Sequence, residues 1–198
     1  MGYPNHLFNT FRINFTYLNA KKIRFQRKMS KTPFENKISS LKKLQELGEE
    51  WQKSKSRVCF TNGCFDVLHK GHVKYLSEAK ALGDILIVGV NSDDSVRRLN
   101  KGPNRPINDE NSRAYLIAAL EFVDAVVIFS EDTPENLINE IIPDVLVKGG
   151  DYDPYEEDRN HPKYIVGRAV VLKNGGSVKT IDFVEGFSTT ETLKKIGD

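Results

Sequence analysis

Residues 60–72 combine the side chains that phosphate chemistry needs with glycines that let a substrate approach the backbone. His69 and His72 stand three residues apart, with Lys70 and Gly71 between them. Each imidazole can donate a hydrogen bond to a phosphate oxygen, more strongly when it is protonated. Glycine has no Cβ, so backbone and substrate can come close together. This spacing favours two imidazoles acting on one anionic group over the alternative of one packed and one solvated histidine.

The histidine pair lies where a predicted strand ends and a predicted helix begins. The apolar run 58–60 is typical of a buried strand, and an apolar face recurs at helical spacing over residues 73–82. In an open α/β sheet, ligands bind at the carboxyl ends of the strands. A helix start adds free N–H groups and a positive dipole end. We therefore expect a phosphate site whose turn is formed by Thr61, Asn62, Gly63, Cys64 and Phe65.

The rest of the chain alternates between strand and helix patterns. Further strands are predicted at residues 85–90, 125–129, 145–147 and 178–183. Helices are predicted at residues 36–53, 96–99, 110–120, 134–142 and 165–172, and again from about residue 189. Leu116 and Ile142 are placed on buried helix faces, and Thr133 is read as a helix cap. This alternation predicts an α/β fold with a Rossmann-like, doubly wound, five-stranded parallel sheet.

Polar residues follow two of the other predicted strands. Asn91 and Asp93 come after the second strand, where contact with a ligand and capping of a short helix are equally good explanations. Lys148 and Gly149 come at the end of the fourth strand, followed by Asp151. A turn alone would explain the glycine but not the lysine before it. Asn91, Asp93 and Asp151 are therefore candidates for contact with a substrate or a metal.

Two further sites are predicted at helix starts. Ser188, Thr189 and Thr190 precede the last predicted helix, where their hydroxyls and N–H groups either cap the helix or form a second anion site. Arg113 falls in the first turns of a helix, where a cation opposes the helix dipole. That misfit favours a functional role for Arg113 over that of an ordinary surface arginine.

Composition limits the class of protein. The 198 residues are 39% hydrophobic and 28% charged, which is ordinary for one soluble globular domain. Cys59 and Cys64 form neither a disulfide framework nor a zinc set, which fits a reducing, cytoplasmic setting. No stretch approaches the roughly 18 apolar residues of a membrane span. Outside residues 1–28 the chain carries 23 basic and 27 acidic residues, so we expect no nucleic-acid surface.

Three segments are distinguished along the chain. Residues 1–28 carry six basic residues and no acidic one, and we interpret them as a disordered leader or as translated upstream sequence, with Met29 as the start. Residues 29–56 are predicted to form an N-terminal helical segment. Residues 57–198 are predicted to form the catalytic domain.

The pattern Gly63-x-Phe65-Asp66-x-x-His69-x-Gly71-His72 resembles the signature of the cytidylyltransferase-like nucleotidyltransferases, the HxGH superfamily. Within it, the segments NGCFDVLHKGHVKYL, LIVGVNSDDSV, RPIN, LVKGGDY and EGFSTTETLKKI resemble the heptose 1-phosphate adenylyltransferases, in the form that stands alone rather than behind a sugar kinase. The resemblance implies transfer of AMP from ATP to D-glycero-β-D-manno-heptose 1-phosphate. The products would be pyrophosphate and ADP-heptose, a precursor of the lipopolysaccharide core.

The resemblance also implies roles for residues. His69 and His72 would contact the α- and β-phosphates, while Lys70, Arg105 and Arg113 would add positive charge, with Lys101 a weaker candidate than Arg105. Mg²⁺ would bridge the phosphates of ATP without a dedicated protein site. Asp66 would either orient the turn or hold that metal. The related enzymes also suggest a homo-oligomer, a dimer or larger.

Two other functions are considered. Glycerol-3-phosphate cytidylyltransferase shares the H-x-G-H turn and the S-T-T segment, but that branch has an arginine shortly before E-G-x-S-T-T. Here Val184 directly precedes Glu185, which disfavours that branch. A non-catalytic nucleotide sensor on the same fold is disfavoured by the presence of both histidines.

Overall fold

The predicted strands form one parallel sheet in the computed structural model, which describes residues 32–100, 102–190 and 192–193. The strands are β1 (Val58–Gly63), β2 (Ile85–Asn91), β3 (Ala125–Phe129), β4 (Val145–Gly149) and β5 (Ser177–Ile181). Their order is β3-β2-β1-β4-β5, and every neighbouring pair is parallel. The chain moves from β1 outward to β3 and then returns to the other side of β1. The predicted doubly wound sheet is confirmed, with its switch point between β1 and β4.

Helices cover both faces of the sheet. They are α1 (Leu41–Lys53), α2 (Lys70–Lys80), α3 (Asp93–Arg98), α4 (Glu110–Ala118), α5 (Glu135–Ile141) and α6 (Arg168–Lys173). A C-terminal helical stretch begins at residue 189. All of the described elements lie within one compact unit, Phe34–Asp198.

Alternating strand residues feed two separate hydrophobic cores, because successive side chains of a strand point to opposite faces. Cys59 packs into the core that contains Leu76 of α2 and Ile117 of α4. Its neighbour Phe60 packs into the core that contains residues of α1, α5 and α6. Helices α2 and α4 thus cover one face of the sheet, and α1, α5 and α6 cover the other.

The helix predicted at residues 36–53 begins later than expected. Residues 35–37 form a 3₁₀ turn, and Ile38 pairs with Val126 at the edge of the sheet. The side chain of Ser40 then accepts a hydrogen bond from the Lys43 N–H and caps α1. Residues 36–38, which the apolar spacing alone assigned to the helix, therefore lie in the 3₁₀ turn and at the edge of the sheet.

Other local predictions are wrong in detail. Thr133 does not cap α5, whose start has no side-chain cap. Leu116 and Ile142, predicted to be buried, are 41% and 45% exposed, whereas Arg113 is fully buried. The helix predicted at residues 165–172 begins only at Arg168, after Gly167 in a left-handed conformation.

In the described part of the chain no helix is long and apolar enough to cross a membrane. The predicted leader, residues 1–28, and Lys101 lie outside the described residues. The proposed boundaries after residues 28 and 56 stay predictions.

Candidate active site

The carboxyl ends of the strands open into a cavity of about 1030 Å³. It lies over the switch point, where doubly wound sheets bind their ligands. Most of the predicted site residues line it: Asn62, Gly63, Cys64, Phe65, Asp66, His69, Gly71, His72, Asn91, Arg105, Lys148, Gly149, Asp151, Ser188, Thr189 and Thr190. Lys70, Thr61, Asp93 and Arg113 do not belong to its lining.

The two histidines form a stacked pair at the start of α2. Their ring centroids are 3.8 Å apart and the ring planes differ by 17°. His69 Nδ1 accepts a hydrogen bond from the His72 N–H at 3.3 Å, so His69 also caps the helix. Two imidazolium charges this close would repel each other by about 4 kcal/mol at an effective dielectric constant near 20. The doubly charged pair therefore needs an anion against it, which is what a polyphosphate supplies.

The turn before the helix brings this pair to the cavity. Phe65 has a left-handed backbone, with φ of 48°, which is costly for an aromatic residue and is found mainly at functional turns. Its ring packs edge-on against His72, at 5.3 Å between centroids. A Cβ on Gly71 would lie 3.0 Å from the His69 ring and 3.3 Å from Phe187 Cβ. A side chain at this position would therefore require the His69 ring or Phe187 to move by a few tenths of an ångström.

Lys148 crosses the switch point from β4 to β1. Its ammonium donates a hydrogen bond to Asn62 Oδ1 at 2.6 Å and lies 5.2 Å from the centre of the Tyr152 ring. The residue is only 7% exposed. A compact cation is thus held where the two halves of the sheet meet. It lies beside residues 60–72, which we call the histidine turn.

Asp66 orients the loop that carries Arg105. Its Oδ1 accepts hydrogen bonds from the N–H groups of Ile107 and Asn108 at 2.7 and 2.9 Å, and its Oδ2 pairs with the Arg105 guanidinium. Asp66 is 1% exposed. Both carboxylate oxygens thus accept bonds from protein donors of one loop, and the two predicted roles of Asp66, orientation of the turn and metal binding, stay predictions.

Arg113 is a correction to the predicted site. Its Nε donates to the Asn108 carbonyl at 2.9 Å, one terminal nitrogen to the Cys64 carbonyl at 2.6 Å, and the other to Asp93 Oδ1 at 2.8 Å. The guanidinium therefore binds protein acceptors rather than phosphate. Through these three bonds Arg113 connects Cys64 of the histidine turn to Asp93, which follows β2, and to Asn108 in the loop that contacts Asp66.

Replacing Arg113 with methionine should lower the free energy of unfolding by about 3–5 kcal/mol, because it leaves Asp93 and two carbonyls without their buried cationic donor. Lysine should recover only part of this, since one ammonium cannot reach three separate acceptors. Urea denaturation of both variants measures the effect. A methionine variant within 1 kcal/mol of the parent would contradict the structural role.

Of the remaining predicted residues, some line the cavity and others support the sheet or a helix. Thr61 is buried and its hydroxyl pairs with that of Tyr75 at 2.7 Å, so it supports the sheet rather than a ligand. Ser92 caps α3, while Asn91 lines the cavity. Lys70 lies outside the cavity lining, with its ammonium 5.5 Å from the centre of the Phe187 ring.

Part of the cavity was missed by sequence reasoning. Asp132, Thr133 and Pro134 before α5 line it, and so do Arg159, His161 and Tyr164 from the loop between β4 and α6. The first three follow a strand, a position that could have marked them. The loop residues carry no comparable local signal.

Partial burial of the imidazole lowers the pKa of His69 below its usual value near 6.5. The neutral form is thus favoured in the folded state, so the contribution of His69 to stability is complete above about pH 6.5 and declines as the pH falls below it. A bound phosphate would oppose this shift, because it favours the imidazolium.

We expect NMR titration to show His69 titrating below pH 6.5 in the free protein and at a higher pH when the protein is saturated with a non-hydrolysable ATP analogue. The charge-assisted bond to phosphate should outweigh the long 3.3 Å capping contact. An unchanged His69 titration would contradict phosphate contact.

The family model described as "Cytidylyltransferase-like" matches residues 60–194, which include the histidine turn and the segment after β5. The chain belongs to the cytidylyltransferase-like family. The predicted class of enzyme, a nucleotidyltransferase, is thereby confirmed.

Curated relatives extend this result. "Bifunctional protein HldE" of Campylobacter concisus is 54% identical over 165 residues, or 83% of this chain and 32% of the relative. The protein of the same name from Nitratiruptor sp. is 50% identical over 172 residues, or 87% of this chain and 34% of the relative. The chain thus spans about a third of the length of the curated relatives it matches.

Solved structures agree with the fold. The lipopolysaccharide core biosynthesis protein from Thermoplasma volcanium is 33% identical, with a TM-score of 0.50, over 65% of this chain and 97% of that one. The pantoate-beta-alanine ligase from Francisella tularensis is 14% identical, with a TM-score of 0.53, over 79% of this chain and 75% of that one, and shows likeness of fold alone.

Proposed function

We propose that the chain transfers AMP from ATP to D-glycero-β-D-manno-heptose 1-phosphate, giving ADP-heptose and pyrophosphate. The observation that carries the proposal is the stacked His69–His72 pair at the start of α2, beside Lys148 at the switch point. The choice of acceptor is supported by the relatives named HldE and by the neighbour titled as a lipopolysaccharide core biosynthesis protein.

The reaction proposed is a direct in-line displacement. A phosphate oxygen of the acceptor attacks the α-phosphorus of ATP, a new P–O bond forms, and the bond to the leaving pyrophosphate breaks. No covalent enzyme intermediate is needed, because the acceptor phosphate is itself a nucleophile. The contribution of the protein is positioning and charge stabilisation.

Each residue has a proposed part in that displacement. His69 and His72 donate hydrogen bonds to the α- and β-phosphates, where negative charge is crowded. Lys148 and Arg105 supply further positive charge, Arg105 being held by Asp66. Ser188 and Thr189, at the start of the C-terminal helical stretch, hold the β- and γ-phosphates with hydroxyls and backbone N–H groups.

Mg²⁺ is proposed to enter with ATP. In the described part of the chain no three His, Cys, Asp or Glu side chains are grouped as metal ligands, and both oxygens of Asp66 accept bonds from protein donors. The donors present therefore fit an ion that is held mainly by phosphate oxygens and water, as Mg²⁺ commonly is. Bound there, it would neutralise phosphate charge.

Pyrophosphate release tests the proposal. ATP and CTP are each offered with heptose 1-phosphate and with glycerol 3-phosphate, in the presence of Mg²⁺. Turnover with ATP and the heptose phosphate alone is the expected result. Turnover with CTP and glycerol 3-phosphate would instead assign the chain to the glycerol-3-phosphate cytidylyltransferase branch. No pyrophosphate release by folded protein in any of the four assays would favour a nucleotide sensor.

A further inference from the structure

Phe65 is held in a backbone conformation that aromatic residues rarely adopt. In the described part of the chain, the non-glycine residues with a positive φ are Lys55, Phe65, Asn100 and Ile142. Of these four, Phe65 alone is buried, at 5% exposure. A bulky residue stays in this region of φ and ψ only where its surroundings hold it there. The protein must therefore supply contacts that keep Phe65 in place.

Two side chains bind the backbone carbonyls of the residues on either side of Phe65. Arg113 donates from a terminal guanidinium nitrogen to the Cys64 carbonyl at 2.6 Å. Asn108 donates from Nδ2 to the Asp66 carbonyl, also at 2.6 Å. We call this pair of bonds the Phe65 clamp. The Cys64 carbonyl belongs to the peptide whose orientation is set by φ of Phe65, so the Arg113 bond acts directly on that angle.

The loop that carries Asn108 also holds the carboxylate of Asp66. Asp66 Oδ1 accepts hydrogen bonds from the N–H groups of Ile107 and Asn108, so three donors from two adjacent residues converge on Asp66. Asp66 is 1% exposed, and at such a position an unmade hydrogen bond is costly. The residue after Phe65 is thus fixed at both its carboxylate and its carbonyl, which leaves the turn little freedom to relax.

The two residues of the clamp also hold each other. Arg113 is fully buried, and its Nε donates to the Asn108 carbonyl at 2.9 Å. Because this bond uses the backbone of Asn108, it survives when the Asn108 side chain is truncated. Replacing Asn108 with alanine therefore removes one described hydrogen bond, from Nδ2 to the Asp66 carbonyl, and keeps the others of the loop.

The clamped residue is the one whose ring packs on His72. The ring centroids of Phe65 and His72 are 5.3 Å apart, and the ring planes meet at 69°. The Phe65 ring also lies against Gly63, where an added Cβ would come within 3.1 Å of two ring carbons. A change in the backbone of Phe65 would therefore move a ring that contacts both Gly63 and His72.

We propose that the Phe65 clamp holds Phe65 in its left-handed conformation, and that the Phe65 ring so held positions the His72 imidazole for its bond to phosphate. Asn108 is then a positioning residue, because it acts on the reaction through Phe65 and His72. This inference rests on the proposed function, since it takes His72 to contact a phosphate of the nucleotide. A displacement of about 1 Å can cost about a hundredfold in rate, so the loss of one clamp bond is measurable.

A double-mutant cycle tests whether Asn108 acts through His72. The four proteins are the parent, Asn108→Ala, His72→Ala and the double variant, and kcat is measured by pyrophosphate release with saturating ATP and acceptor. We expect Asn108→Ala to lower kcat about tenfold in the parent protein. In the His72→Ala background it should lower kcat less than about twofold, because the group that it positions is absent. An equal loss in both backgrounds, or no loss in the parent, would overturn the proposal.

Asn174→Ala is the matched control. Asn174 also donates from Nδ2 to a backbone carbonyl, that of Val170 at 2.8 Å, but it lies at the end of α6 and does not line the cavity. Its loss should leave kcat within about twofold of the parent value.

Phe65→Leu is a second variant, which keeps the test decisive if Asn108→Ala does not fold. It retains a buried apolar side chain and removes the edge-on aromatic contact with His72. Its effect on kcat should likewise disappear in the His72→Ala background. Additive effects of Phe65→Leu and His72→Ala would contradict the proposal.

NMR of the His72 ring protons gives a measurement that needs no turnover. In protein labelled with ¹³C-histidine and free of nucleotide, Asn108→Ala should shift the His72 ring resonances, because the Phe65 and His69 rings pack on that imidazole. Asn174→Ala should leave those resonances in place. A purely structural role of Asn108 would lower stability without moving them. Parental His72 resonances in Asn108→Ala would overturn the proposal.

The proposed function and this inference can fail separately. If the parent protein turns over ATP with heptose 1-phosphate and Asn108→Ala lowers kcat equally in both backgrounds, only the inference fails. If the parent protein turns over no pair of substrates but Asn108→Ala shifts the His72 resonances, the proposed function fails and the positioning of His72 by the clamp stands. Absence of both turnover and shift would overturn both.

Discussion

Replacing His72 with alanine should lower kcat for nucleotidyl transfer at least about a hundredfold. Loss of one preorganised donor to a developing charge costs about 2.7–4 kcal/mol in the transition state, and each 1.4 kcal/mol is a factor of ten in rate. Steady-state pyrophosphate release with saturating ATP and acceptor measures the change. A variant that keeps near-normal turnover would refute the role of the histidine pair.

The effect of His72→Ala should be separable from unfolding. The His72 ring packs on His69 at 3.8 Å and edge-on to Phe65 at 5.3 Å. Such pairs contribute about 0.5–1.5 kcal/mol each, which is small against a total stability of about 5–15 kcal/mol. The matched control is Lys74→Ala, which removes a polar group from the same helix. Lys74 pairs with Glu78 at 3.4 Å and does not line the cavity, so its loss should change kcat less than threefold.

Replacing Lys148 with methionine should lower kcat/KM about a hundredfold, because it removes the cation at the switch point while keeping most of the buried stem. Arginine should not restore activity, since its planar fork is larger than the ammonium that fits against Asn62 and Tyr152. The measurement is the initial rate at subsaturating ATP, with near-ultraviolet circular dichroism as the check on packing.

Lys80→Met is the matched control for Lys148. Lys80 is also a partly buried lysine, 2.6 Å from Asp124, but it does not line the cavity. Its loss should lower stability and leave kcat/KM within about threefold of the parent. If Lys148→Met behaved in the same way as this control, Lys148 would be a structural residue and its place in the mechanism would be wrong.

The sheet and the histidine turn were predictable because their signals are local. Continuous apolar runs predict buried parallel strands, and all five strands begin and end within three residues of their predicted ends. The largest difference is in β1, which ends at Gly63 rather than at residue 60. The position of His69 and His72 follows from the same pattern, since they sit between a strand and a helix. A site whose residues are close together in sequence can therefore be predicted from sequence.

The residues that were misplaced depend on partners far along the chain. Arg113 does oppose its helix dipole, but its acceptors come from Cys64, Asp93 and Asn108 rather than from a ligand. The partners of Asp66 lie about 40 positions away, which left its two roles open. The cavity is also lined by the segment before α5 and by the loop between β4 and α6, which are neighbours only after folding. Spacing along the sequence carries no information about such contacts.

The central claim is direct transfer of a nucleotidyl group to the phosphate of a sugar, and the fate of oxygen tests it most directly. Heptose 1-phosphate labelled with ¹⁸O in its three non-bridging phosphate oxygens is incubated with ATP, Mg²⁺ and the parent protein, and the products are resolved by mass spectrometry. The expected products are a nucleotide sugar that retains all three labels and unlabelled pyrophosphate. Release of AMP or ADP in place of pyrophosphate, or loss of label to inorganic phosphate, would contradict attack at the α-phosphorus.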